Sequence, residues 1–322
     1  MAAIACLPDP SGGRRRRPPF SRPMREHRKL YHFLLLVYRE WGRYGLPRLA
    51  AALSFYTLFS LAPLLFLIIV VAGLLIDPAL VERRILLQLQ LLLGENSARF
   101  IETLIANARR QASGTLLVVG VGLLAWTATN IFMQTKAVLN TIWDIEVRPP
   151  NGIVHYFSQR LFALVFVLGM GFVLAVVLVV NILLETLLIL LAQDMPLEQP
   201  LSQLWRLLLP YLLIIAAFTI MYRIFPDIII RWREAFLGAL VGGSLFYLAQ
   251  YLIAWYLRTV APASVYGAAG SLVVLLLWLY YSHQLFLLGA LITKIYVRLY
   301  HRPTRLKPNA RQIMRITRPR LS

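Results

Sequence analysis

Four polar side chains stand inside otherwise apolar runs of the chain: Asn130, Gln134, Gln250 and His283. Asn130 and Gln134 are four positions apart and share one face of a helix. Burying such groups without partners costs on the order of 1–3 kcal/mol each. They must therefore face one another, water or a ligand. Two kinds of chemistry fit. One is a polar pathway or headgroup slot between helices, in which His283 adds a proton donor or acceptor. The other is inter-helix hydrogen bonding, typically worth about 0.6 kcal/mol.

Catalysis is served less well. The five histidines, His27, His32, His155, His283 and His301, are scattered, and none stands at metal-ligand spacing to another. Hydrolysis of a phosphodiester needs a metal cluster or an acid–base pair. The candidate acids are Asp144, Glu146, Asp227 and Glu234. Asp144 and Glu146 are two apart, a spacing that points them away from each other on a helix. No phosphate-binding Gly-rich loop, nucleophile elbow or paired-histidine zinc motif occurs. The expectation is a protein that is not an enzyme, with no catalytic residue, no metal and no cofactor. Cys6 is the only cysteine, which excludes an internal disulfide.

The elements that hold the four polar groups are membrane helices. Hydrophobic residues make up 59% of the chain and charged ones 15%, against about 45–50% and about 25% in soluble domains. Residues 49–76 include no charged residue or histidine. As a helix they would reach roughly 42 Å, more than the ~30 Å of a hydrocarbon core. The surplus predicts tilt or a bend at Pro63. Five further spans follow, at about 115–135, 161–184, 204–223, 235–257 and 271–293. The predicted fold is all-α: a polytopic bundle of six transmembrane helices with amphipathic interfacial helices. One of these carries the stripe Leu30, Phe33, Leu34, Val37, Tyr38 and Trp41. Another stretch, 77–114, sets Ile101, Ile105 and Ala108 opposite Arg99 and Glu102. Gly238 and Gly242 form a GxxxG spacing that offers a surface for a homo-oligomer.

Charge is concentrated at the ends. The net charge is +19, of which +8 falls in residues 1–48 and +9 in 294–322. Basic clusters beside membrane helices keep both termini cytoplasmic and attract anionic lipid headgroups. They do not require nucleic acid, because aromatic interleaving is missing from the last segment. The organisation is a disordered basic tail at 1–29, a six-helix domain at 30–296 and a second basic tail at 297–322.

Three stretches then resemble one family. AAALSFYTLFSLAPLL at 50–65, with Pro63, is similar to the first-helix signature of the YihY/BrkB family of bacterial inner-membrane proteins. VLNTIWDI at 138–145 resembles its Asn-x-x-Trp motif through Asn140 and Trp143. The segment 266–290, with Tyr266, Gly267 and Trp278, is similar to its C-terminal signature. The resemblance covers about residues 30–296 and implies a six-helix inner-membrane protein with roles in transport or envelope-lipid handling. The family's old ribonuclease label is a misassignment and is rejected here. One departure stands out: where the family usually has Gly-Ala-Glu and then Asn, this chain has Gly289, Ala290, Leu291 and then Thr293. A membrane carboxylate is lost, and with it any proton coupling built on it. The expected function is a transporter or lipid-handling protein with a polar pathway. The alternative is a non-catalytic envelope scaffold that binds anionic lipid or partner proteins.

Overall fold

The computed structural model describes residues 26–111, 117–147, 152–191, 198–260, 270–300, 304–308 and 310–312. Tyr266 and Gly267 lie outside them. The first described helix, α1 (Glu26–Tyr44), ends at Gly45, whose φ of 61° turns the chain into α2 (Leu46–Ala72). Glycine is suited to that left-handed position, and Pro47 starts the next helix with φ already set. Half of the stripe on α1 does what its spacing predicts: Phe33, Val37 and Trp41 pack on the core, while Leu34 and Tyr38 are exposed. Helix α2 runs through buried Pro63 without interruption.

Helices α3 (Pro78–Leu93) and α4 (Glu95–Gln111) follow. Asp77 caps α3 by accepting from the Ala79 N–H at 3.0 Å. Ile101 and Ile105 of α4 are buried in a cluster with Ile69 of α2 and with Leu275 and Leu279 further along the chain. Arg109 of α4 pairs with Glu82 of α3.

The expected second crossing has one irregular residue, Thr129, which keeps helical dihedrals and the backbone bonds to Ala125 and from Met133. It separates α5 (Leu117–Ala128) from α6 (Asn130–Ile142). The carbonyl of Trp126 accepts from Thr129 Oγ1 at 2.8 Å and from Arg160 Nη1 at 2.7 Å. Side-chain donors inserted into the helical ladder are a recognised cause of kinks. After strand β1 (Ile145–Val147) comes α7 (Gly152–Leu191), which starts nine residues before the run at 161 predicted for it. Then come α8 (Glu198–Ile224), strand β2 (Ile228–Ile229), α9 (Trp232–Val260) and α10 (Gly270–Leu299). Two short strands close the described chain, β3 (Arg305–Leu306) and β4 (Ala310–Gln312).

Among the described residues, five helices are long and apolar enough to cross a membrane: Leu46–Ala72, Gly152–Val177, Leu207–Ile224, Trp232–Ile253 and Gly270–Leu299. Their outward faces carry large exposed apolar side chains, such as Phe59 on α2, Leu161 on α7 and Leu248 on α9. In water such a surface would aggregate, and in lipid it is solvated.

The interior is organised by α10, which lies against α9 and α2. A Cβ on Gly242 would sit 2.8 Å from the Cα of Gly289, and one on Gly238 would sit 2.9 Å from the Gly289 carbonyl oxygen. The GxxxG face is thus packed against α10 of the same chain. Close approach of two backbones is what small residues permit. Tyr222 of α8 seals the junction by donating to the Phe286 carbonyl at 2.6 Å.

The final strands fold back under the helices. β4 pairs antiparallel with β1, Val147 opposite Ala310, and β3 pairs with β2, Ile228 opposite Leu306. The C-terminal segment therefore contacts both the α6–α7 and the α8–α9 connections. The all-α reading missed these pairs because strands of two or three residues leave no periodic signal.

Candidate functional site

Three polar assemblies are built into this frame. The first lies where α1, α6 and α10 meet. Asp144 occupies the left-handed region with φ of 55°, a conformation that Asp tolerates better than most residues. That turn directs its carboxylate inward, where it is 6% exposed. Lys294 Nζ lies 2.5 Å from Asp144 Oδ2 and donates to the Ile142 carbonyl at 2.6 Å. Tyr44 donates to the same carboxylate oxygen at 2.7 Å and also meets the Lys294 ammonium. Burial alone would raise the Asp144 carboxyl, but hydrogen bonds from Lys294 and Tyr44 outweigh it and hold the group below the usual carboxylate range. Burial, together with the bond to Asp144, pushes the Tyr44 phenol well above its ordinary value.

The second assembly centres on Asn140 and Asp227, in the connection between α8 and α9. Asn140 Nδ2 donates to Asp227 Oδ2, and the Asp227 backbone N–H returns a bond to Asn140 Oδ1. Lys136 Nζ lies 3.0 Å from the other carboxylate oxygen, and Lys307 Nζ lies 4.0 Å from it. Beside them opens a cavity of about 290 Å³ between α6 and α7. Trp143 is buried 5% exposed in the adjoining core. The Asn-x-x-Trp motif thus works as a joint: Asn140 clasps the α8–α9 connection and Trp143 anchors the end of α6.

The third assembly lies within the bundle. The His283 ring sits against α2, with Nδ1 3.3 Å from Ser54 Oγ and Nε2 3.2 Å from Thr57 Oγ1. Nδ1 also lies 2.8 Å from the Leu279 carbonyl. Asn130, Gln134 and Gln250 are half-buried, and among the described residues none of them hydrogen-bonds to His283. Ser60 of α2 donates to the Thr127 carbonyl at 3.0 Å, close to the break at Thr129. Across that break lies Arg160, which also donates to Thr129 Oγ1 at 2.6 Å and to the Tyr156 hydroxyl at 3.0 Å. Its guanidinium stacks 4.2 Å from the Trp126 ring. Among the described residues no carboxylate pairs with it. Trp278 packs beside α2 and α4, and its Nε1 is buried without a partner among the described residues. Leu291, standing where the resemblance leads one to expect Glu, is fully buried.

The residues missed from sequence are Asp144 with Lys294, Asp227 as the partner of Asn140, and Arg160. Ser54 and Thr57 were legible in principle. They stand three apart on the helix, a small-polar pair facing one direction. No group of three or more His, Cys, Asp or Glu side chains that could hold a metal occurs among the described residues.

Long apolar helices with exposed apolar faces, tied inside by polar and charged joints, define a multi-pass integral membrane protein of helical type. Within that class, the chain belongs to the Virulence factor BrkB family, which matches residues 37–313. It is similar to a UPF0761 membrane protein of Alcanivorax borkumensis, 27% identical over 274 residues, covering 82% of this chain and 60% of the relative. A UPF0761 membrane protein of Azotobacter vinelandii is 30% identical over 257 residues, covering 76% and 58% of the two chains. One of Mannheimia succiniciproducens is 25% identical over 266 residues, covering 81% and 88%. The chain thus spans about three fifths of the length of the first two relatives. No solved structure matches.

Proposed function

We propose that this chain is a six-crossing protein of a bacterial inner membrane that moves or presents anionic envelope lipid, with both ends in the cytoplasm. The observation that carries this reading is Arg160 at the α5–α6 break. Taken together, residues 117–142 rise about 39 Å, enough for one kinked crossing. Arg160 lies within the apolar segment Gly152–Val177. A cation there is costly, and such residues mark substrate or ion pathways. Its hydrogen bonds to Trp126, Thr129 and Tyr156 go to neutral groups, and among the described residues no carboxylate meets its charge. The basic ends of the chain favour the cytoplasmic side.

A second reading has its own observation. Both nitrogens of His283 are engaged by α2, the arrangement of a static joint, and this favours a scaffold that binds lipid without moving it. Reconstitution in liposomes separates the two. Transfer of a fluorescent anionic phospholipid between leaflets is expected, and Arg160→Ala should slow it about tenfold, the loss of roughly 1.4 kcal/mol. His283→Ala, inserted in parallel, tests the second reading: a static joint leaves the transfer rate unchanged. No transfer by the unaltered protein would overturn the proposal and leave the scaffold. Reporter tags that place the two ends in opposite compartments would overturn the six-crossing topology.

A further inference from the structure

The cavity between α6 and α7 has a chemistry that the preceding proposal does not use. Lys136 stands on one side and Lys307 on the other, with His155 and Gln159 on α7 completing the polar rim. Both ammonium groups face a single carboxylate oxygen, Oδ1 of Asp227, at 3.0 and 4.0 Å. The other oxygen is taken up by Asn140 at 2.8 Å. Among the described residues, two cations thus share the one carboxylate that lines the cavity. Lys307 is held in place by its ammonium on the Ile224 carbonyl at 2.8 Å and by its backbone N–H on the Asp227 carbonyl at 3.0 Å. Burial and the neighbouring Lys136 both work against its charge and pull its ammonium below the usual lysine range. An added anion would relieve that.

The remainder of the cavity is aromatic. Phe132, Phe166 and Phe225 stack edge to face along its inner wall, with ring centroids 4.9 to 5.9 Å apart. Phe162 closes the outer wall and is 49% exposed. Beyond it, along the same side of α7, stand Val165 and Phe172, which are 60 and 52% exposed. A molecule seated here would thus meet cations at one end and a continuous apolar surface at the other. Inorganic phosphate matches only the first half of that description. An anionic amphiphile matches both.

We infer that this cavity seats the phosphate of an anionic membrane phospholipid between Lys136 and Lys307, with its acyl chains laid along the outer face of α7. The seat is completed by the C-terminal segment, because Lys307 lies between β3 and β4 and is positioned by their pairing with the two connections. The site does not depend on lipid movement at Arg160: a resident lipid satisfies it equally.

The test uses the full chain in detergent, titrated separately with phosphatidylglycerol, phosphatidylcholine and inorganic phosphate, with retention of each read by native mass spectrometry. The expected result is about fivefold preferential retention of phosphatidylglycerol, the factor one basic side chain near an anionic lipid carries. Lys136→Gln with Lys307→Gln should abolish the preference, and Lys136→Arg with Lys307→Arg should keep it. Phe162→Asp, which leaves both lysines in place but makes the outer wall acidic, should weaken it without changing the unfolding midpoint. Arg160→Ala should leave the preference intact, so failure of lipid transfer at that residue is distinguishable from failure here. Equal retention of both lipids would overturn the inference. So would displacement of phosphatidylglycerol by millimolar phosphate, which would make the site one for a free anion. Loss of the preference with Arg160→Ala alone would also overturn it, by moving the site to the break.

Discussion

Asn140 and Asp227 exchange two hydrogen bonds of 2.8 Å, although 87 positions separate them in the chain. The amide of Asn140 donates to the carboxylate and accepts from the backbone of the same residue. No other side chain of similar size offers both roles at that reach. The end of α6 is thereby fixed to the α8–α9 connection, and the carboxylate is held facing Lys136 and Lys307.

Asn140→Ala should therefore destabilise the fold by about 1.5–3 kcal/mol, the cost of leaving a buried charged acceptor and a buried N–H without partners. Asn140→Asp should do worse, since it sets two carboxylates against each other. Thermal unfolding in detergent, followed by tryptophan fluorescence, measures both. An unchanged midpoint for Asn140→Ala would refute the joint.

The Asp144–Lys294 pair gives a sharper contrast. Lys294→Met removes the nearest cation from the buried carboxylate, leaving only the Tyr44 hydroxyl and Arg298 at 3.9 Å, and should cost up to about 3–5 kcal/mol. Adding Asp144→Asn in the same chain should recover most of that loss. Asn keeps the left-handed turn that the backbone requires there, and it removes the charge. If the double variant is no more stable than the single one, the interaction between the two residues is not what holds the turn.

Protonation should reveal the same pair. The Asp144 carboxyl lies below its ordinary value in the folded chain. Its contribution is thus fully present above the unfolded value of about 3.9 and is lost as pH falls through the folded value. Tyr44 behaves in the opposite sense. Its phenol is raised, so its contribution is complete below about pH 10 and declines as pH climbs above that. The stability gap between the unaltered chain and Asp144→Asn should narrow as pH falls below about 4, where the carboxylate takes up a proton. A gap that widens on acidification would contradict the assignment.

The glycine contact predicts a separation of folding from association. A Cβ on Gly289 would lie 2.4 Å from the Tyr222 hydroxyl and 3.0 Å from the Gly242 Cα. Gly289→Val and Gly242→Val should each lower the unfolding midpoint, through overpacking that typically costs about 1–3 kcal/mol. Neither should change the oligomeric state seen by light scattering. A variant that alters association while leaving the midpoint untouched would return the GxxxG face to a role between copies.

What could be read from the sequence was what depends on local pattern. Apolar runs long enough for lipid announced α2, α7, α9 and α10, and the small-residue spacing on α9 announced a close contact. The pattern did not say with which helix. The break at Thr129 was illegible, because the run 115–135 is uniformly uncharged and the donor that opens the ladder, Arg160, lies 34 residues from Trp126. Lys294 was counted as the first charge of a basic tail. Its partner Asp144 is 150 residues away, and charge counting has no access to such a pairing. Asn140 was marked by its motif, but its role came only with Asp227 opposite it. Asn130, Gln134 and Gln250 were chosen because they are polar in apolar runs, a criterion that is blind to direction around the helix.

The pairing of β3 and β4 with the two connections has a consequence for biosynthesis. A ribosome makes the strands at 145–147 and 228–229 long before it makes their partners at 305–306 and 310–312. Until those partners are made, both hinges have unpaired backbone edges, and the cradle beside Asp227 lacks its second ammonium. Latching is thus keyed to residues 305–312. A nascent chain stalled short of them would have its helices inserted and its underside still unlatched.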